Sequence, residues 1–105
     1  MTHEYTRTSS RRPGRFLRKP EAMAELGIRA NSTWYTHIAN GLIPPPVKLG
    51  ARASAWIEDE ILTVKYGRIA GMTNDEVRDL VEDLVSGRAD WCKRMAAEDT
   101  GAGYV

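Results

Sequence analysis

Three consecutive prolines, Pro44-Pro45-Pro46, divide this chain more sharply than any other feature in it. Proline fixes φ and lacks an amide hydrogen, so neither a helix nor an interior strand can cross that point, and the backbone there runs extended. Whatever lies upstream must finish before residue 44, and whatever follows must begin afresh. Gly41, three residues earlier, supplies the stop that an upstream helix needs.

Upstream of that stop, Asn31 or Ser32 is placed to cap a helix running to about Asn40. Trp34 and Ile38 stand four apart on it and face a core, flanked by Tyr35 and Ala39, while Thr33, Thr36, His37 and Asn40 recur at i, i+3, i+4 and i+7 as a polar stripe on the other side. A shorter helix precedes it. Pro20 fits its first turn, Met23 and Leu26 share a face, Gly27 stops it, and Lys19 is a weak cap. Two helices separated by about four residues form a helix-turn-helix.

Downstream, Val47-Lys48-Leu49 and Ala53-Ser54-Ala55-Trp56 flank Gly50-Ala51-Arg52, which predicts a small hairpin with Val47, Leu49 and Trp56 inward and Lys48 and Arg52 outward. Glu58-Asp59-Glu60 then open a third helix, where acids favour the macrodipole. Ile57, Ile61 and Val64 share one face of it, with Leu62, Tyr66 and Ile69 beside them, until Gly71. A last helix begins with a capping box, Thr73 and Glu76, and a hydrophobic staple, Met72 and Val77. Its stripe Val77, Leu80, Val81, Leu84, Val85 ends at Gly87; it either completes the domain's own core or packs on the same helix of a second copy in a homodimer. Trp91 and Met95 suggest one further turn.

The expected fold class is mainly α with a small β-hairpin, a winged helix-turn-helix followed by C-terminal helices. It occupies residues 16–88, after a flexible basic arm over 1–15 and before a poorly ordered tail over 89–105. A length of 105 residues admits one domain and not two. No apolar run approaches the roughly 18 residues needed to span a bilayer, and the first residues lack a secretory core, so the expected location is the cytoplasm. Cys92 is the single cysteine and His3 and His37 the two histidines, which excludes an internal disulfide and a Cys/His metal site. With no phosphate-cradling glycine loop and no nucleophile–base pair, neither an enzyme nor a cofactor is expected.

Charge supplies the functional direction. The formal net charge is only +1, but residues 1–56 hold nine basic and three acidic side chains, whereas residues 57–105 hold six basic and eleven acidic ones. A basic half joined to an acidic half presents one of them to a polyanion.

Four segments, Phe16-Leu-Arg-Lys-Pro-Glu21, Ser32-Thr-Trp-Tyr35, Gly41-Leu-Ile-Pro-Pro-Pro-Val-Lys-Leu-Gly50 and Arg52-Ala-Ser-Ala-Trp56, together resemble the AlpA family of phage and prophage regulators over roughly residues 16–62. Arg68-Ile-Ala-Gly-Met-Thr-Asn-Asp-Glu-Val77 is similar to an extension found in many members. The resemblance implies a MerR-like winged helix-turn-helix related to phage excisionases, acting on double-stranded DNA as a transcription factor. Members commonly carry basic residues just before the Ser-Thr pair and just after the Tyr; here these positions are Asn31 and Thr36.

The resulting expectations are specific. Thr33, Thr36, His37 and Asn40 read base edges in the major groove, unless they are only a solvated face. Arg18, Lys19, Arg29, Ser32, Tyr35, Lys48 and Arg52 hold the DNA backbone, and Arg11, Arg12 and Arg15 track it from the arm. Trp34 is core. The function is sequence-specific regulation of transcription in a phage or mobile element, with RNA polymerase or a recombinase as a further partner. The alternatives are an excisionase-like factor that bends DNA, and a protein adaptor acting through the acidic half or the Val77 to Val85 stripe.

Overall fold

A computed structural model describes residues 14–91 and Lys93. The elements run β1 (Phe16–Leu17), α1 (Lys19–Glu25), α2 (Asn31–Ala39), β2 (Val47–Lys48), β3 (Ser54–Ile57), α3 (Glu58–Ile69) and α4 (Asn74–Ser86), with residues 88–91 again helical. The fold is mostly helical around a small antiparallel sheet, a winged-helix arrangement. That sheet has three strands in the order β1-β3-β2 rather than the two of a hairpin. β3 pairs with β2 through Val47↔Ala55 and Lys48↔Ser54, and with β1 through Phe16↔Ile57 and Leu17↔Trp56. A two-residue strand shows no alternation, which is why β1 leaves no trace in the sequence pattern.

Two apolar clusters hold these elements together. The first joins Leu17, Ala22, Met23, Trp34, Ile43, Trp56 and Ile61; within it the indoles of Trp34 and Trp56 meet edge to face at 5.3 Å. Trp34 is fully buried, and Trp56 Nε1 donates to the Pro44 carbonyl at 3.1 Å, tying the proline bend to the wing. The second cluster joins Leu42 and Val64 to Val77 and Val81, with Leu26, Met72, Leu84 and Val85 packed around it. Leu80 lies against Gly67, where an added Cβ would come within 3.3 Å of its Cδ2 and 2.8 Å of Met72 Sδ. Thus the stripe of α4 packs on the chain's own core, with Val77 and Val81 buried and Leu80, Leu84 and Val85 partly so.

Several local expectations are corrected. The N-cap of α2 is Ala30, in extended conformation and without a side-chain cap bond; Asn31 and Ser32 already belong to the helix, so neither is positioned to cap it. Leu49 is 43% exposed because β2 ends at Lys48, and Leu49 N donates to Ala53 O to close the turn beyond the ladder. Tyr66 and Ile69, placed beside the apolar face of α3, are exposed at 48% and 71%. By contrast, the capping box of α4 forms in both directions: Glu76 N donates to Thr73 Oγ1 at 3.2 Å, and Thr73 N donates to Glu76 Oε1 at 2.8 Å.

The acids that open α3 do more than complement its dipole. Glu58 and Glu60 are both buried. Arg15 Nη1 meets Glu58 Oε2 at 2.8 Å, and Arg88 grips Glu60 with two bonds, of 2.9 Å and 2.7 Å, while its Nη2 also donates to Pro45 O at 2.8 Å. Gly14 N donates to Asp59 at 3.3 Å, and Glu58 N to Arg15 O at 2.7 Å. Arg15 is therefore tied to the start of α3, and residues 88–91 continue in helical conformation after Gly87. Arg11, Arg12, Cys92 and Met95 lie outside the described residues. Among the described residues, no helix is long and apolar enough to cross a membrane.

Candidate nucleic-acid interface

Helix α2 presents its polar stripe unevenly. Thr33, Thr36 and Asn40 are exposed, as are Ser32 and Tyr35, whereas His37 is half-buried. The cause is angular: each residue advances about 100° around a helix, so His37 stands roughly 60° from Trp34, at the rim of the buried face. The outer face of α2 consists of Ser32, Thr36, Ala39 and Asn40, with Thr33 and Tyr35 on its borders. The free ends of hydroxyl and amide groups on that face can donate to or accept from base edges, and no acidic side chain stands among them.

Two consecutive residues at the start of α1 connect this helix to the wing. Arg18 Nη1 donates to Ser54 O on β3 at 3.2 Å, and Lys19 Nζ lies 3.3 Å from Tyr35 Oη and 5.1 Å from that ring's centre. The base of the wing and one flank of α2 are thereby bridged by a pair of cations. Lys48 and Arg52 are exposed on the wing, the first on edge strand β2 and the second in the turn that follows; Arg29 is exposed in the turn between α1 and α2.

The distribution of ion pairs sharpens what the sequence charge count suggested. Lys65 bonds Glu25 at 3.0 Å, Arg78 bonds Asp75 at 2.8 Å, and Arg88 bonds Glu60. Glu21 and Glu25, acids of the basic half, face Arg15 and Lys65. None of Arg18, Lys19, Arg29, Lys48 or Arg52 is paired with a carboxylate among the described residues. Among the described residues, the cations at the start of α1, in the turn before α2 and on the wing thus keep their charge available to an external anion. Sequence reasoning named these five, but missed that Arg88 and Arg15 hold the fold, because their partners lie 28 and 43 positions away.

Asn40, at the exposed end of α2, also has a structural tie: Arg78 Nε donates to its carbonyl oxygen at 2.9 Å, which fixes the helix end against α4 and leaves the side-chain amide outward.

Comparison with known proteins agrees with this geometry. Residues 15–63 match the family model described as prophage CP4-57 regulatory protein (AlpA). The match begins at Arg15 and ends within α3, so it contains α1, α2, all three strands and the whole of the first apolar cluster. The chain is also similar to the uncharacterized protein ORF88 of Enterobacteria phage P4, being 46% identical over 57 residues. That alignment covers 54% of this chain and 64% of the phage protein, so the chain spans somewhat less than two thirds of its relative. No solved structure shows significant similarity to the chain. The segment that carries α1, α2 and the wing is thus similar to the AlpA family of prophage regulatory proteins.

Proposed function

We propose that the chain is a cytoplasmic, sequence-specific regulator of transcription in a phage or mobile element, and that it acts by binding double-stranded DNA. The observation that carries this reading is a set of five cations with no carboxylate partner among the described residues, together with an acid-free outer face of α2. Arg18, Lys19, Arg29, Lys48 and Arg52 hold phosphates and release counterions, which gives affinity without sequence information. Thr33, Thr36 and Asn40 enter the major groove and discriminate base edges. Ser32, in the first turn of α2, and Tyr35, through its hydroxyl, add backbone contacts.

The test is a titration of labelled duplexes across a salt series, after selection of bound sequences from a random pool. Five phosphate contacts predict a slope of log K against log salt of about −4 to −5, at about −0.9 per contact. A selected motif bound far more tightly than random duplex supports base readout. Absence of any duplex binding at low salt would refute the reading and leave a protein adaptor. Strong bending of attachment-site repeats would instead assign the architectural role of an excisionase.

A further inference from the structure

His37 sits apart from the rest of its stripe. Its imidazole lines a cleft of about 240 Å³ whose walls include Leu26, Ile28, Leu42 and Val64, and whose other polar lining residue is Arg68 at the end of α3. Arg68 is exposed, pairs with no carboxylate among the described residues, and donates through Nη1 to the neutral Asn74 Oδ1 at 2.9 Å. A guanidinium has five N–H donors, so most of them remain for another acceptor. In the acidic half of the chain, where Lys65, Arg78 and Arg88 are each matched by an acid, this is a departure.

The position of Arg68 gives the departure a meaning. Tyr35 and His37 are two residues apart on α2, hence about 200° apart around its axis, with Thr36 between them on the outer side. The Tyr35 flank carries Lys19 and, through Arg18, the wing. The His37 flank carries Arg68. A helix about 10–12 Å across fills a major groove about 12 Å wide, so both flanks face a wall of phosphates. Resting on the DNA-binding reading above, we infer that Arg68 and His37 together hold a backbone phosphate on the strand opposite to the one met by Arg18, Lys19 and the wing. The guanidinium supplies charge and the imidazole a second N–H, which moves His37 from base reading to backbone positioning.

The measurement is duplex affinity against salt for the full chain and for Arg68→Gln. The variant is expected to lower the steepness of the salt dependence by about 0.9 and to weaken all duplexes evenly. Arg68→Lys should regain the slope. Replacing the contacted phosphate with an uncharged methylphosphonate should abolish the difference between wild type and Arg68→Gln. An unchanged slope overturns the inference, as does a changed base preference. A fall in melting temperature with the slope intact also overturns it, and assigns Arg68 to stabilising the end of α3 with Asn74. Failure of the wild-type chain to bind duplex at all removes the proposed function itself, a result distinct from any difference between wild type and variant.

Discussion

Arg88 and Arg52 are the same side chain in two regions of one molecule, and their surroundings make them different devices. Arg88 follows α4 and clamps a buried carboxylate, Glu60, with two bonds while holding the Pro45 carbonyl with a third. Arg52 stands in the wing turn, exposed and without a carboxylate partner among the described residues. The first links the C-terminal helices to the proline bend. The second leaves a full charge available outside the fold. Opposite signs in the two halves of the sequence therefore do not amount to two charged surfaces of equal kind: the acidic half consumes much of its positive charge internally, and the basic half does not.

The largest expected effect comes from breaking the internal kind. Arg88→Ala leaves Glu60 buried without its cation and Pro45 O without a donor. Loss of one partner of a buried, hydrogen-bonded pair costs about 3 kcal/mol, here moderated by the partial exposure of the arginine. Thermal unfolding of this variant should show a clear drop in melting temperature, while the molecules that stay folded keep the wild-type salt slope. A slope that fell with stability unchanged would place Arg88 with Arg52 and dissolve the contrast between the two regions.

How far this contrast was legible in the sequence depends on the range of each interaction. The helix boundaries set by Pro20, Gly27, Gly41, Gly71 and the Thr73–Glu76 box are written in neighbouring residues, and all appear in the structure; Gly27, Gly41 and Gly71 adopt positive φ, as a helix stop of that kind requires. The stripe of α4 was equally plain, since periodicity is local, though periodicity alone does not say which surface it meets. What escaped was long in range or short in length. The Arg15–Glu58 and Arg88–Glu60 pairs carry no spacing signal, β1 is two residues long, and Gly67 leaves the space that the Met72 and Leu80 side chains occupy against α3. On the site, the five cations were nameable as candidates, but their lack of acidic partners among the described residues is a tertiary fact. The same holds for His37, whose place at the rim of the buried face separates it from Thr33, Thr36 and Asn40.

An intermediate effect should come from the face of α2 proposed to read bases. Thr36 lies at the centre of that face, exposed, with a hydroxyl and a methyl group to offer. Thr36→Ala removes the hydroxyl without disturbing the core, so stability should change by less than about 0.5 kcal/mol. Discrimination at one base pair of the selected motif should fall by about 1 kcal/mol, seen as a relaxed preference at that position in a repeated selection. If the variant instead lost affinity evenly for every duplex, the stripe would be a positioning surface like the wing.

The smallest effect tests the exposed cation directly. Arg52→Ala removes a charge that pairs with no carboxylate among the described residues, so the stability should stay within about 0.5 kcal/mol of wild type. Binding should weaken to the same extent for selected and random duplexes, because a phosphate contact carries no base information. The slope of log K against log salt should become shallower by about 0.9, and at high salt the variant and wild type should converge, since a counterion-release term shrinks as bulk salt rises. Lys48→Ala should do the same, and the two changes should add, because each cation in the wing releases its own counterions. A double variant that matched either single one would mean that Lys48 and Arg52 share one phosphate. Arg52 would then still be an external charge, unlike Arg88, but the wing would grip the duplex at one point rather than two.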